Sequence, residues 1–289
     1  MNTVFLFVST VLIWGTTWIA IALQVGYAPV VVSIFYRFAL AGIVMILGLA
    51  VMGRLKRPAH WRFVIVQAVQ ALCLFCFNFV GLYNATALIP SGLVSVVFSL
   101  ASIFNAVNAQ IFFGERIAPR VIAAGMVGAT GLALLFWNDL VVAFDANTLR
   151  GIAWAAFGTM LFSLGNMASR KNNTLGVSPV TANAWGMGIG AIALFALITA
   201  TRTPVVVPGG GVYWGAMIYL SVIGSVVGFT TYLLLVQKAG SAKAGYATVV
   251  FPVVALLIST FVEGFEWTLT AGVGVCFIIA GNILMFARR

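Results

Sequence analysis

Serine recurs at helical intervals along one stretch of this chain: Ser91, Ser95, Ser99 and Ser102, followed by Asn105. Steps of three and four put these side chains on one face of a helix. A shorter stripe, Thr159, Ser163 and Asn166, comes later, and Thr10, Trp14 and Thr17 form another near the start. Gln67, Gln70 and Asn78 add amides, with Gln67 and Asn78 on nearly the same face. Hydroxyls and amides in such rows hydrogen-bond a polar ligand or a neighbouring helix. Aromatic rings that could stack on a ligand ring are Trp14, Trp18, Tyr83, Phe98, Trp185, Tyr232, Tyr246 and Phe251. Arg37 is the one basic residue deep in an apolar run, and could face a ligand carboxylate.

Catalysis finds little to work with. The single histidine, His60, sits in a basic gap, and no buried acid pair, metal cluster or nucleophile–base set accompanies it. Cys73, Cys76 and Cys276 all lie in apolar runs, so no disulfide framework is expected, and the CxxC spacing reads as two small apolar side chains on a helix. No metal site or cofactor is expected.

The elements that must position these residues are membrane helices. Hydrophobic residues make up 63% of 289, charged ones only 7%, and the mean hydropathy is +1.13. Runs of roughly 20 apolar residues suffice to cross a bilayer core of about 30 Å. Ten such spans are expected at about 3–23, 30–52, 63–84, 91–113, 119–137, 149–169, 179–201, 212–236, 244–262 and 269–287. Pro29, Pro90, Pro119 and Pro179 lie near span starts, where a missing N–H costs little. Met1-Asn2-Thr3 lacks a positive leader region, so no cleavable signal peptide is expected. Trp61, Trp137, Trp214 and Trp267 fall at span ends, where an interfacial belt explains them.

The charges orient the spans. With the N-terminus inside, the inner gaps carry Arg54, Lys56, Arg57, Arg62, Arg116, Arg120, Arg170, Lys171, Lys238, Lys243, Arg288 and Arg289; the outer gaps carry only Arg150 and Arg202. Asp139, Asp145, Glu263 and Glu266 fall outside, and Glu115 inside. This asymmetry is the positive-inside pattern and puts both termini in the cytoplasm. The net charge of +10 is thereby explained by topology, and no nucleic acid is expected as a partner; the partners are the lipid bilayer and a small-molecule substrate.

The chain also repeats. Pro29 and Pro179 open spans 150 residues apart, and Thr10, Trp14 and Thr17 align with Thr159, Ser163 and Asn166 at an offset of 149. Ala87 to Glu115 ends in Phe-Gly-Glu, and Ala239 to Glu266 in Gly-Phe-Glu. The expected fold is an all-α integral membrane protein of ten helices, with one five-helix repeat at 1–139 and a second at 140–289. An odd span count per half inverts the second, the arrangement common in secondary transporters with a site between the halves.

Four segments carry a family resemblance: Ile13-Trp14-Gly15-Thr16-Thr17-Trp18, Phe35-Tyr36-Arg37-Phe38-Ala39, Phe113-Gly114-Glu115-Arg116 and Val250-Phe251-Pro252-Val253-Val254-Ala255. In this order the chain resembles the drug/metabolite transporter superfamily of the EamA type, essentially over its whole length. The stretch Glu263-Gly264-Phe265-Glu266-Trp267-Thr268 is similar to bacterial exporters of aromatic amino acids and related metabolites. The family's usual fourth-span proline is replaced here by Ser102, which removes the steric cause of a local helix break. The resemblance implies an inner-membrane exporter, not an enzyme. Small multidrug exporters of the superfamily use a first-span glutamate for cationic drugs and protons; this first span has none, so cationic drug antiport is disfavoured.

Polar faces in lipid must look inward, toward other helices or a wet path. A single serine or threonine is most simply interhelical glue, whereas the combined stripes are better explained as the lining of a central path. The expected cavity set is Trp14, Thr17, Gln67, Asn78, Tyr83, Ser95, Ser99, Ser102, Ser163, Asn166, Tyr246 and Phe251, with Arg37 as a charge partner. A structural Arg37, snorkelling or bound to carbonyls, is the competing reading, favoured by its occurrence across carriers of many substrates. The function expected is export of small neutral or zwitterionic metabolites, amino acids including aromatic ones. A nucleotide-sugar carrier would want more basic residues in the cavity than Arg37 offers, and a membrane enzyme or receptor is disfavoured.

Overall fold

The computed structural model describes residues 2–55, 61–138, 145–239 and 247–286; the side chains at 61, 62, 236, 237, 239, 249, 285 and 286 are outside the description. Ten helical spans follow in order among the described residues. They are α1 (Thr3–Ala22), α2 (Val30–Val51), α3 (Trp61–Leu72, Cys73–Phe77 and Asn78–Thr86 end to end), α4 (Ser91–Phe98 and Ala101–Phe113) and α5 (Pro119–Leu135). The second half holds α6 (Ala146–Thr174), α7 (Pro179–Ala200), α8 (Gly211–Ile218, Tyr219–Val227 and Gly228–Ala239), α9 (Ala247–Val262) and α10 (Leu269–Phe286). Seven of these spans are long and apolar enough to cross a membrane, and three shorter apolar helices, Pro119–Leu135, Val250–Val262 and Leu269–Leu284, complete the set.

Local chemistry sets the ends. Asn2 caps α1 through Val4 N, Asp145 caps α6 through Asn147 N and Thr148 N, and Ser178 caps α7 through Thr181 N. The Asp145 carboxyl is held below its ordinary range chiefly by the Thr148 hydroxyl. This cap lets α6 start before the expected apolar window, and its far end runs on through Arg170 and Lys171. Gly114 and Gly264, 150 residues apart, follow α4 and α9 with φ of 69° and 71°, the left-handed conformation that closes a helix.

Three spans are irregular near their middles. α3 and α8 widen into π-helical segments at Cys73–Phe77 and Tyr219–Val227, corresponding positions of the two halves. α4 breaks at Ser99–Leu100 although Ser102 stands where a proline would be expected. Serine chemistry supplies the cause: the Ser99 hydroxyl donates to the Val96 carbonyl at 2.7 Å and Ser102 to that of Ser99 at 3.1 Å. Leu100 N falls back on the Val97 carbonyl, a tighter turn than an α-helix uses.

The packing respects the repeat. α2 lies on α7 and α5 on α10, each pairing a helix with its counterpart; α1 meets α8 and α9 as α6 meets α3 and α4; and α4 packs on α9. Close approach depends on glycine: a Cβ on Gly131 of α5 would sit 2.6 Å from the Gly274 carbonyl oxygen of α10. The buried core includes Phe38, Phe75, Tyr83, Met187, Leu220 and Phe251. Large apolar side chains such as Phe261 and Leu269 stay more than four-fifths exposed, as lipid-facing residues do.

Candidate functional site

The central cavity forms where α1, α2, α3, α4, α6, α8 and α9 converge, and its volume is about 50 Å³. α1 contributes Trp14, Thr17, Trp18 and Ile21, one face at steps of three and four. Thr17 turns its hydroxyl back to the Trp14 carbonyl at 2.7 Å. α8 is held against this face by small residues: a Cβ on Gly224 would lie 2.7 Å from Thr17 Cγ2, and one on Gly228 would lie 2.8 Å from Trp14 Nε1. Both glycines fall in or just after the π-helical segment of α8, and Asn78 and Phe79 follow directly on that of α3. The two irregular helices therefore border the same space, α8 through Gly224 and Phe229 and α3 through Asn78, Phe79 and Leu82.

Aromatic rings make the walls. Trp18 and Phe251 are nearly parallel, with centroids 6.2 Å apart and planes at 17°. Phe98 lies 4.7 Å from Phe162 and 5.4 Å from Trp18, while Trp14 packs on Phe229 at 5.6 Å and on Tyr232 at 4.8 Å. Contacts of this kind fix ring orientation beyond simple area burial.

One charge faces this apolar space. Arg37 of α2 is 3% exposed. Its Nε donates to the Ser225 hydroxyl at 3.1 Å, and the guanidinium also reaches the Tyr83 hydroxyl. Its carbon lies 4.4 Å from the Phe79 ring centroid and 5.3 Å from that of Phe38. Nη1 has no hydrogen-bond partner, and neither has Oδ1 of Asn78, a second lining residue. The position 150 residues on from Arg37 is Met187, so the charge belongs to one half only. No acidic residue is among the lining side chains.

The structure brings Trp14, Thr17, Asn78, Phe251 and Arg37 of the expected set to the cavity, with Trp18 and Phe98. Other members lie elsewhere. Tyr83 is buried behind Arg37 and donates to Gln24 Oε1 at 2.8 Å. Gln67 belongs to an amide knot between α3, α6 and α7: it donates to the Ala182 carbonyl at 2.7 Å and accepts from Asn172, which also bonds Gln70. Ser95 turns to the Gly92 carbonyl, and Ser99 and Ser102 join Asn282 of α10. Ser163 accepts from Asn108 at 2.8 Å, and Asn166 donates to Asn105 at 3.3 Å. Ser95 is satisfied within its own helix, as a helical serine can be on a carbonyl three or four residues back, and the other groups tie helices together. Tyr246 lies outside the described residues. Sequence reasoning passed over Phe79, Phe162 and Phe229. Phe79 and Phe229 are 150 residues apart, and the repeat offset applied to aromatics would have found them.

Beyond the cavity lie two polar clasps. At one end, the Glu263 carboxylate accepts from Ser91 N at 3.0 and 3.1 Å, from the Ser91 hydroxyl at 2.5 Å and from the Ser259 hydroxyl at 2.7 Å, pinning α9 to the start of α4. At the other end Arg170 of α6 pairs with Glu115, past the end of α4, and lies 4.2 Å over the Phe113 ring. The hydrogen bond from Arg170 holds the Glu115 carboxyl below its usual range. Among the described residues no group of three His, Cys, Asp or Glu could hold a metal ion.

A model of the EamA-like transporter family matches residues 1–137 and again 149–287. The chain belongs to that family. Its relatives include protein PagO of Salmonella typhimurium, 23% identical over 98% of this chain and 92% of that protein. The uncharacterized inner membrane transporter YedA of Escherichia coli K12 is 24% identical over 96% of this chain and 90% of its own length. An uncharacterized transporter of Archaeoglobus fulgidus is also 24% identical, over 97% of both. A solved crystal structure shares the fold with a TM-score of 0.69 at 21% identity, covering 98% of this chain and 96% of that one. Membership makes the protein a membrane transporter.

Proposed function

We propose that this protein is an inner-membrane secondary transporter that exports small neutral or zwitterionic metabolites, amino acids including aromatic ones. Both termini lie in the cytoplasm, the two halves form an inverted repeat, and alternating access moves the substrate through the cavity between them. The observation that carries this reading is the aromatic-walled cavity with two unpaired buried polar atoms, the donor Arg37 Nη1 and the acceptor Asn78 Oδ1. A buried donor and acceptor without partners are costly unless a ligand completes them. The carboxylate and ammonium of an amino acid are such a pair, and the rings of Trp14, Trp18 and Phe251 suit an aromatic side chain.

The cavity of about 50 Å³ takes a few waters but not a ligand that needs about 300 Å³ or more. The substrate therefore enters a wider state than this one. The Glu263 and Glu115–Arg170 clasps suit opposite gates, each released in turn as the halves rock. A nucleotide sugar fits less well, since one arginine faces the cavity.

The test is uptake of labelled phenylalanine, tryptophan and threonine into proteoliposomes, with and without a pH gradient. Saturable uptake that aromatic amino acids inhibit is expected. Absence of uptake of all three by folded protein would remove the amino-acid assignment.

A further inference from the structure

The charge on Arg37 deepens the proposed reading, on which this inference rests, by stating what the ligand must carry. Arg37 is buried, with 3% of the residue exposed. Every group that touches it is neutral: the Ser225 and Tyr83 hydroxyls and the faces of Phe38 and Phe79. Among the described residues the acidic side chains are Glu115, Asp145, Glu263 and Glu266, and all four lie in the gaps between spans. Among the described residues no fixed countercharge meets Arg37, and a buried cation held only by neutral dipoles is poorly compensated. Snorkelling is not its solution, since the head group turns inward to a cavity walled mainly by aromatic and aliphatic side chains, with Thr17 and Asn78 as its other polar side chains. The matching position of the other half, Met187, is fully buried without any charge, so the fold does not need a cation there.

We infer that the transported ligand supplies the missing charge: it is an organic acid whose carboxylate docks on Arg37 Nη1, and a carboxylate is the one group every substrate must have. Planar guanidinium and carboxylate groups match in hydrogen-bond geometry. Two sources share this chemistry, a zwitterionic amino acid and a simple aryl-alkyl carboxylate. Asn78 Oδ1 offers the ammonium of the first an acceptor but places no demand for it. A ligand that is only cationic meets Arg37 as a like charge and is excluded.

The experiment uses the full-length protein in detergent and in proteoliposomes. Phenylalanine, 3-phenylpropionate, phenylalaninamide and phenethylamine are compared for thermal stabilisation and for competition with transport. Both acids are expected to act at concentrations at least a hundredfold below the amide and the amine. If only 3-phenylpropionate acts, the amino-acid reading fails and the carboxylate requirement stands. If phenethylamine or the amide matches its acid, the requirement is overturned.

A second arm needs no ligand. Asn78→Asp places a carboxylate in the cavity with Arg37, so the variant is expected to raise the unfolding temperature by several degrees and to weaken acid binding at least tenfold. An unfolding temperature unchanged or lowered overturns the inference, even if none of the four compounds binds. Arg37→Gln should lose the preference for acid over amide, and Arg37→Lys should keep part of it. Equal preference in wild type and Arg37→Gln would also overturn it.

Discussion

Removing the Glu263 side chain should release the start of α4 from the end of α9. Three donors converge on that carboxylate: Ser91 N, the Ser91 hydroxyl and the Ser259 hydroxyl, at distances from 2.5 to 3.1 Å. A buried hydrogen bond to a charged group contributes about 1.5–3 kcal/mol, so three would total roughly 4–9 kcal/mol. Glu263 is only partly buried, and solvent screening brings the expectation down to about 2–4 kcal/mol for Glu263→Ala. At about 1.4 kcal/mol per factor of ten, even the lower figure shifts the ratio of clasped to open helix ends roughly thirtyfold. Glu263→Gln keeps one acceptor oxygen and should lose about half as much. The assay is the distance between spin labels at Ala87 and Glu266, two exposed positions flanking the clasp, in a background whose three cysteines are replaced. The variant should add a longer distance that wild type lacks. Identical distance distributions, with an unchanged unfolding temperature, would refute the assignment of Glu263 as a clasp.

Trp14→Ala removes rings packed on Phe229, Tyr232 and Phe251; transport should fall about tenfold, the worth of roughly 1.5 kcal/mol of aromatic contact, while the amount in the membrane holds, and unchanged transport would exclude Trp14 from the path. Gly131→Ala places a methyl 2.6 Å from the Gly274 carbonyl and should cost about 1–3 kcal/mol in thermal or denaturant unfolding. The Glu115–Arg170 clasp is present above the ordinary carboxylate value of 4.5 and is lost as pH falls through the lowered one. A spin-label distance between the ends of α4 and α6 should therefore stay constant from neutral pH through that ordinary value and lengthen only below it.

Much of the helical framework was legible because apolar runs and loop charges are set by the bilayer itself. The span expected at 91–113 matches Ser91 to Phe113, and that at 30–52 misses Val30–Val51 by one residue. Polar caps are a weaker signal, which is why α6 exceeds its apolar window at both ends. Hydropathy also carries no trace of whether a helix keeps its α pitch. The π-helical segments at Cys73–Phe77 and Tyr219–Val227 leave no mark in it, and the turn at Ser99–Leu100 comes with hydroxyls competing for carbonyls. Of the candidate site, Trp14, Phe251 and Arg37, side chains too large to hide, line the cavity. Ser95, Ser99 and Ser102 bond their own helix here, and a serine stripe has the same period whether it does that or lines a path.

The most direct test of a carrier working by alternating access is counterflow. Proteoliposomes preloaded with unlabelled phenylalanine should drive labelled phenylalanine transiently above its equilibrium level, and Trp14→Ala should blunt that overshoot. Simple equilibration without overshoot, at the same rate in preloaded and empty vesicles and in wild type and variant, would contradict the account.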